Sequence, residues 1–394
     1  MKVFSAVLVV AWALLAGCGT FGSSAAPDEP AAMEERGAPA VNAEPAGSEA
    51  TVEPVLSAGE APEFVGLTNW LNGDPVTLDE VTAGGNVVLV DFWTYTCINC
   101  IRTLPFLTEW HEKYGDSGLT IIGVHSPEFE FEEDPGNVAA AVADYRIEYL
   151  VAQDNEMLTW DAFENRFWPA KYLVDSEGRV VYSHFGEGDY VETEQAIRQA
   201  LTRAGHDVSG IETGSDTGPQ IDPRASAFTR ELYCGYERNY TTNGVYAGQE
   251  AYYEGPDREV LYEDDGEYSL GQWYLSGLWR NERQSIVHAR STSDLEDYIA
   301  LPFLARSVNV VLDPVRDEPF QVVVEIDGRP LTAEEAGADI EFDEAGRSVL
   351  NVGEARLYAL VELPEFGEHE LTLRSDSDNF AIFSFTFGNY TEGA

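Results

Sequence analysis

Residues 86–100 read NVVLVDFWTYTCINC: an apolar run, a four-residue loop, and two cysteines two residues apart. A continuous apolar run rich in β-branched residues is the pattern of a strand buried on both faces in a parallel sheet. Cysteines at this spacing either hold a metal or form a disulfide that opens and closes. A structural zinc site takes four ligands. The chain has four cysteines, Cys18, Cys97, Cys100 and Cys234, with no second CxxC, and its six histidines form no closely spaced pair. A metal site is therefore not expected, and no cofactor is. The strand ends at Phe92, Trp93 to Thr96 form the loop, and Cys97 opens a helix on which Ile101, Leu104, Leu107, Trp110 and Tyr114 share one face. Free N–H groups and the dipole at a helix start stabilise a thiolate. Cys97 is thus the expected nucleophile, and Cys100, one turn further in, the thiol that closes on it.

The start of the chain sets the compartment. Lys2 precedes a short apolar stretch, Val3 to Leu15, which fits a secretory signal better than a membrane span of about 20 residues. Small residues lead into Cys18, a pattern that resembles a bacterial lipobox in which Cys18 carries lipid and becomes the mature N-terminus; residues 1–18 are the expected signal. Residues 19–60 are rich in Ala, Pro, Glu and Gly and cannot bury enough apolar surface to fold. They read as a disordered acidic tether. The whole chain carries 70 acidic and 23 basic residues, a formal charge of −47, which disfavours nucleic acid as a partner. Solubility and adaptation to high salt both remain open as reasons for that charge. Only three of the basic residues are lysines: Lys2, Lys113 and Lys171.

Residues 61–205 alternate strand and helix signals in the order β-α-β-α-β-β-α, an α/β arrangement around a mixed sheet. Residues 206–222 are polar and Gly-rich, a linker signal. In residues 223–394 the helical period disappears and short strand-like runs are divided by turns. An antiparallel β-sandwich of jelly-roll type is expected there.

Four stretches of the first domain carry a resemblance: VVLVDFWTYTCINCIRTLPFL (87–107), GVHSPEF (123–129), NRFWPAKYLVDSEGRV (165–180) and HFGEGDY (184–190). Over about Phe64 to Arg203 they resemble the thioredoxin-like domain of DipZ-type thiol–disulfide interchange proteins, related to the extracytoplasmic TlpA/ResA type. The resemblance implies a thioredoxin fold and dithiol–disulfide exchange. It also implies exported thiol or disulfide proteins as clients. DipZ-type proteins usually carry their own electron-conducting membrane domain. The lipobox-like leader here points instead to a separate, CcdA-like membrane electron donor.

The same resemblance gives roles to single residues. Asp91, six before Cys97, matches the buried acid that shuttles the proton of Cys100; a structural polar residue at a strand end is the alternative. Pro169 matches the cis-proline that faces the dithiol, presenting the Trp168 backbone to a client strand. Trp93, Tyr95 and Trp168 are groove candidates beside it. Loops at the carboxyl ends of parallel strands face ligands, so His125 and Glu128 are expected near the dithiol. The 184–190 loop returns toward Pro169 and should place His184 and Glu187 at the groove edge. Solvated loop positions are the plain alternative for these four.

The second domain resembles the C-terminal β-sandwich of DipZ-type proteins, similar to a carbohydrate-binding module, in SLGQWYLSGLW (269–279), LPFLARSVNVVLDP (301–314), ARLYALV (355–361) and FSFTFG (383–388). Trp273, Trp279, Tyr252 and Tyr253 are candidates for stacking on cell-wall glycan, with core packing as the alternative. Cys234 reads as a buried small hydrophobe rather than a partner in an intermolecular disulfide. Two other functions compete with the oxidoreductase. Thr94, three residues before Cys97, fits a peroxiredoxin-like peroxidase, although Cys100 next door does not. A glycan- or partner-binding protein with a vestigial redox domain is the other.

Overall fold

The computed structural model describes residues 59–214, 218, 220–222, 225, 227–239, 245–316 and 318–391. Cys18, the signal and nearly all of the acidic tether lie outside them. Among the described residues no helix is long and apolar enough to cross a membrane.

The first domain runs β1 (Thr68–Leu71), α1 (Leu78–Ala83), β2 (Val87–Trp93), α2 (Ile98–Tyr114), β3 (Leu119–His125), α3 (Pro135–Asp144), β4 (Leu150–Gln153), α4 (Leu158–Ala162), β5 (Ala170–Val174), β6 (Val180–Phe185) and α5 (Tyr190–Arg203). Its six strands order as β1-β4-β3-β2-β5-β6. Strands β2, β3 and β4 are parallel, while β1, β5 and β6 join antiparallel. The expected α/β domain is present, with β1, α1, α4 and one further strand in the β4–β5–β6 series beyond the expected order. All seven residues of β2 are buried, because both faces of the sheet are covered. Strand alternation divides them. Val87, Leu89 and Trp93 pack with α2, α3 and α5, whereas Val88, Val90 and Phe92 pack with Trp160, Phe163 and Tyr172. Asp91 therefore shares the face of Leu89 and Trp93, beneath α2.

Part of the expected linker is attached to this domain. Val208 is buried, Arg198 donates to the carbonyls of Val208 and Ile211, and the Gly214 N–H donates to Glu194 at 2.9 Å.

The C-terminal domain is antiparallel and sheet-rich: β7 (Leu232–Tyr233), β8 (Glu259–Tyr262), β9 (Tyr274–Asn281), β10 (Ile286–His288), β11 (Tyr298–Pro314), β12 (Phe320–Ile326), β13 (Arg329–Pro330), β14 (Ile340–Phe342), β15 (Ser348–Val352), β16 (Arg356–Arg374) and β17 (Phe380–Gly388). The long strands β11 and β16 pair along most of their length around one core. Trp273, Trp279 and Tyr252 belong to that core, at 0%, 1% and 0% exposure. Tyr253 packs against it and donates its hydroxyl to the Ala247 carbonyl. These aromatics stabilise the sandwich and do not form an exposed sugar-stacking surface. Cys234 is enclosed in the same core, as expected of a small hydrophobe.

The two domains are packed together. Phe129 and Phe131, in the loop after β3, sit edge-on to Phe383 with ring centroids 5.2 and 4.9 Å away, beside Val287, Val311 and Ala381. Arg102 in α2 lies over the Tyr390 ring at 4.5 Å. The C-terminal domain thus touches the first domain at the loop after β3 and at α2.

Candidate active site

Cys97 is the N-cap of α2, with extended φ/ψ of −81° and 112°, and its Sγ accepts the Cys100 N–H at 3.3 Å. One turn of helix thereby turns the first sulfur outward and the second inward. Cys97 is half-buried and Cys100 is 1% exposed; both are free thiols. Burial, reinforced by the neighbouring Cys97 sulfur, pushes the Cys100 thiol well above its ordinary value. Such a thiol needs a base before it can attack.

Asp91 stands under it. Asp91 and Lys171 are directly opposed across β2 and β5, both on the face covered by α2. Both side chains are essentially inaccessible, and Lys171 Nζ lies 3.9 Å from Asp91 Oδ1. Asp91 Oδ1, Asp91 Oδ2 and Lys171 Nζ have no hydrogen bond among the described residues. Burial raises Asp91 to about 7 against the opposing pull of Lys171. Burial likewise lowers Lys171, with Asp91 pulling it back up. A carboxyl poised near neutrality beneath a buried thiol is suited to taking and returning one proton.

Trp168–Pro169 is a cis peptide. Ala170, the next residue, pairs with Phe92, so Pro169 lies at the end of β2 from which Cys97 emerges. Trp168 is held there by its indole N–H, which donates to the Ser126 carbonyl at 3.0 Å, and by its ring against Trp160.

The remaining predicted residues divide. Tyr95 is close to the dithiol in sequence but 3% exposed, stacked on His125. Trp93 and His125 are fully buried and are not groove residues. His125 sits edge-on to Trp93 and near the Thr94 hydroxyl, and burial drives its imidazole down to about 3, so it is neutral. Glu128 points away into the domain interface, where it accepts from Arg238 at 2.7 Å and from the Tyr233 hydroxyl at 2.9 Å. His184 is opposite Lys171 in register, and its ring faces the Glu187 carbonyl. Glu187 pairs with Arg102 at 3.7 Å and accepts the Tyr390 hydroxyl. It is therefore at the site's edge, engaged by the second domain.

Four participants were not singled out from sequence: Lys171, Glu132, Arg102 and Tyr390. Glu132 is fully buried, accepts from Thr96 and from the N–H groups of Glu128 and Phe129, and is raised to about 7 mainly by burial. It ties the CxxC loop to the interface loop. Lys171 had a signal, being one of three lysines and the one set within an apolar strand. Arg102 and Tyr390 had none, since their pairing depends on the docking of two domains.

Similarity to known proteins agrees with this geometry. The thiol–disulfide oxidoreductase YkuV of Bacillus subtilis is 31% identical over 140 residues, which cover 36% of this chain and 93% of YkuV. ResA of Bacillus cereus, also a thiol–disulfide oxidoreductase, is 30% identical over 32% of this chain and 69% of its own length. The chain belongs to the thioredoxin-like thiol–disulfide oxidoreductases. Within this family it is similar to DipZ of Mycobacterium tuberculosis, 39% identical over 280 residues, 70% of this chain. It spans 38% of the length of that relative. Residues 58–183 match the AhpC/TSA family model, and residues 229–388 match the model described as thioredoxin like C-terminal domain. The oxidoreductase assignment and the DipZ-like pairing of domains are both as expected from the sequence.

Proposed function

We propose that the chain is an extracytoplasmic, membrane-anchored reductant of disulfides in exported proteins, acting through Cys97 and Cys100. The observation that carries this reading is the asymmetry of the pair: one sulfur outward at a helix N-cap, the other buried above Asp91. The Cys97 thiolate attacks a client disulfide, forming a mixed disulfide and releasing one client thiolate. Asp91 takes the proton of Cys100. The Cys100 thiolate then attacks Cys97 Sγ, releasing the second client thiolate, which is protonated. Two electrons pass from the dithiol to the client, and a separate CcdA-like membrane donor restores the dithiol. The lipobox-like leader, with Cys18 as the residue that would carry lipid, supports the anchoring.

Insulin reduction by the purified protein tests the activity, with Cys97→Ser inactive. Titration against glutathione tests the direction. Ile98 and Asn99 place no cation between the cysteines, so a potential nearer thioredoxin's about −270 mV than the about −120 mV of DsbA is expected. A value at the DsbA end refutes the reductant role.

The match of residues 58–183 to the AhpC/TSA model favours a second reading, a thiol peroxidase with Thr94 beside Cys97. Peroxide consumption supported by thioredoxin separates it from the first. Docking to cell-wall glycan loses the aromatic platform expected for it.

A further inference from the structure

The segment from the end of β3 to Glu132 makes two sets of contacts. One set runs along the CxxC loop residue by residue. The Ser126 N–H donates to the Trp93 carbonyl at 3.0 Å, and the Thr94 hydroxyl lies 3.4 Å from His125 Nε2. The Tyr95 ring is tilted against Phe131 with centroids 6.3 Å apart, and the Thr96 hydroxyl donates to Glu132 Oε1 at 2.5 Å. The other set belongs to the C-terminal domain. Phe129 and Phe131 abut Phe383, Glu128 accepts from Arg238 and Tyr233, and the Glu130 N–H donates to Gln284 Oε1 at 2.9 Å.

Glu132 joins the two sets. One of its carboxyl oxygens takes Thr96, and the other takes the N–H groups of Glu128 and Phe129 at 2.5 and 3.0 Å. Those are two of the residues that the C-terminal domain holds. Thr96 is the residue before Cys97. A fully buried carboxyl with three donors cannot turn without stranding polar groups away from water. The path from Phe383 through Phe129, Glu132 and Thr96 to Cys97 is therefore unbroken, made of ring contact, hydrogen bonds and one peptide link. Energetic coupling between distant sites is carried by contiguous networks of this kind. Cys97 is sensitive to where it stands, because its Sγ accepts the Cys100 N–H only at the N-cap position, where the helix start favours a thiolate.

On the reading of Cys97 as the attacking sulfur, we propose that Glu132 is a positioning residue for Cys97, and that through Glu132 and Thr96 the docked C-terminal domain sets how fast Cys97 attacks a disulfide. The C-terminal domain then contributes to the reaction without touching the reacting atoms. Its contribution is on the attack step and applies to any disulfide, large or small.

The experiment isolates attack. In the full chain carrying Cys18→Ser and Cys100→Ser, Cys97 remains as the accessible thiol, since Cys234 is enclosed. Its thiolate attacks dithiodipyridine, a small neutral disulfide; a mixed disulfide forms and one thiopyridone leaves, read by its absorbance. Thr96→Val removes the bond to Glu132 at similar shape and should slow attack about tenfold. Thr96→Ala should do the same without the added methyl, and Thr96→Ser should restore the rate. Phe383→Ala, in the other domain, should slow attack about threefold, with Phe383→Leu at the starting rate. Combined with Thr96→Val, Phe383→Ala should add less than about 1.5-fold, because the path is already cut. An unchanged rate in Thr96→Val and Thr96→Ala overturns the proposal. So do losses from Thr96→Val and Phe383→Ala that simply multiply, which would mark both as general loosening. Thiopyridone release at the same rate from a chain that also carries Cys97→Ser would instead overturn the reading of Cys97 as the attacking sulfur.

Discussion

Lys171 Nζ approaches Asp91 Oδ1 to 3.9 Å inside a closed layer, and the two residues face each other directly across β2 and β5. An ion pair without other hydrogen bonds at that depth is held at a high desolvation cost. Its effect on chemistry has a definite sign. The ammonium favours the Asp91 carboxylate, so losing it raises Asp91 further above about 7. In Lys171→Met the pH limb for resolving a preformed mixed disulfide should move to higher pH, while attack on a client is little changed. Stopped-flow resolution rates from pH 6 to 9 would show this. An unmoved limb would remove Lys171 from the proton path.

Asp91 also governs how stability varies with pH. Its native value, about 7, lies above the ordinary 3.8. The unfolded chain gives up this proton first, so the group's contribution falls as pH rises from about 4 to about 7 and stays lost above. That difference corresponds to at most roughly 4 kcal/mol. Asp91→Asn should lose less stability than wild type between pH 5 and pH 8. The removal of Asp91 lowers Lys171 further, which acts in the same direction. Urea denaturation at the two pH values measures the difference; parallel losses in both proteins would contradict the assignment.

Trapping identifies the attacking sulfur. Cys100→Ser should accumulate a long-lived mixed disulfide through Cys97, because the resolving thiol is gone. Cys97→Ser should trap little, since Cys100 is 1% exposed and its thiol is held protonated. Non-reducing electrophoresis with mass spectrometry of the linkage reads the result. Trapping through Cys100, or equally through both, would overturn this assignment.

The domain joint should be needed for a well-behaved redox domain. A fragment ending at Gly214 would uncover Phe129 and Phe131, which Phe383 and its neighbours cover. Each ring represents about 2–3 kcal/mol of burial. The fragment should self-associate in sedimentation velocity, and Phe129→Ser/Phe131→Ser should return it to a monomer. A fragment that is monomeric with both rings intact would show the boundary to be freely separable.

What the sequence conveyed depended on how local the cause was. The strand ending before the CxxC and the buried face of α2 follow from periods of two and 3.6 within single elements, so Cys97 and Cys100 were readable there, whereas Asp91 was named only through the family resemblance. His125 and Glu128 were placed at the right end of β3, but a strand end has two sides. His125 turned inward onto Tyr95, and Glu128 was claimed by Arg238 and Tyr233, more than 100 residues away. The aromatics of the second domain misled for a related reason. A large ring in a strand has the same signature whether it stacks on a sugar or closes a core, and Trp273 and Trp279 close the core. The contact of Arg102 with Tyr390 left no trace in either segment, because it exists only once two independently patterned domains meet.

Cys234 has a use that follows from its isolation. It is wholly enclosed in the C-terminal domain, with no exposed surface, and burial alone drives its thiol far above the ordinary value. A thiol in that state is invisible to alkylating reagents until the sheets around it part. In the native chain the slow alkylation of Cys234, told apart by peptide mapping from that of the equally buried Cys100, is therefore a clock for opening of the C-terminal domain. It is a built-in reporter that registers breathing of the sandwich without any engineered probe.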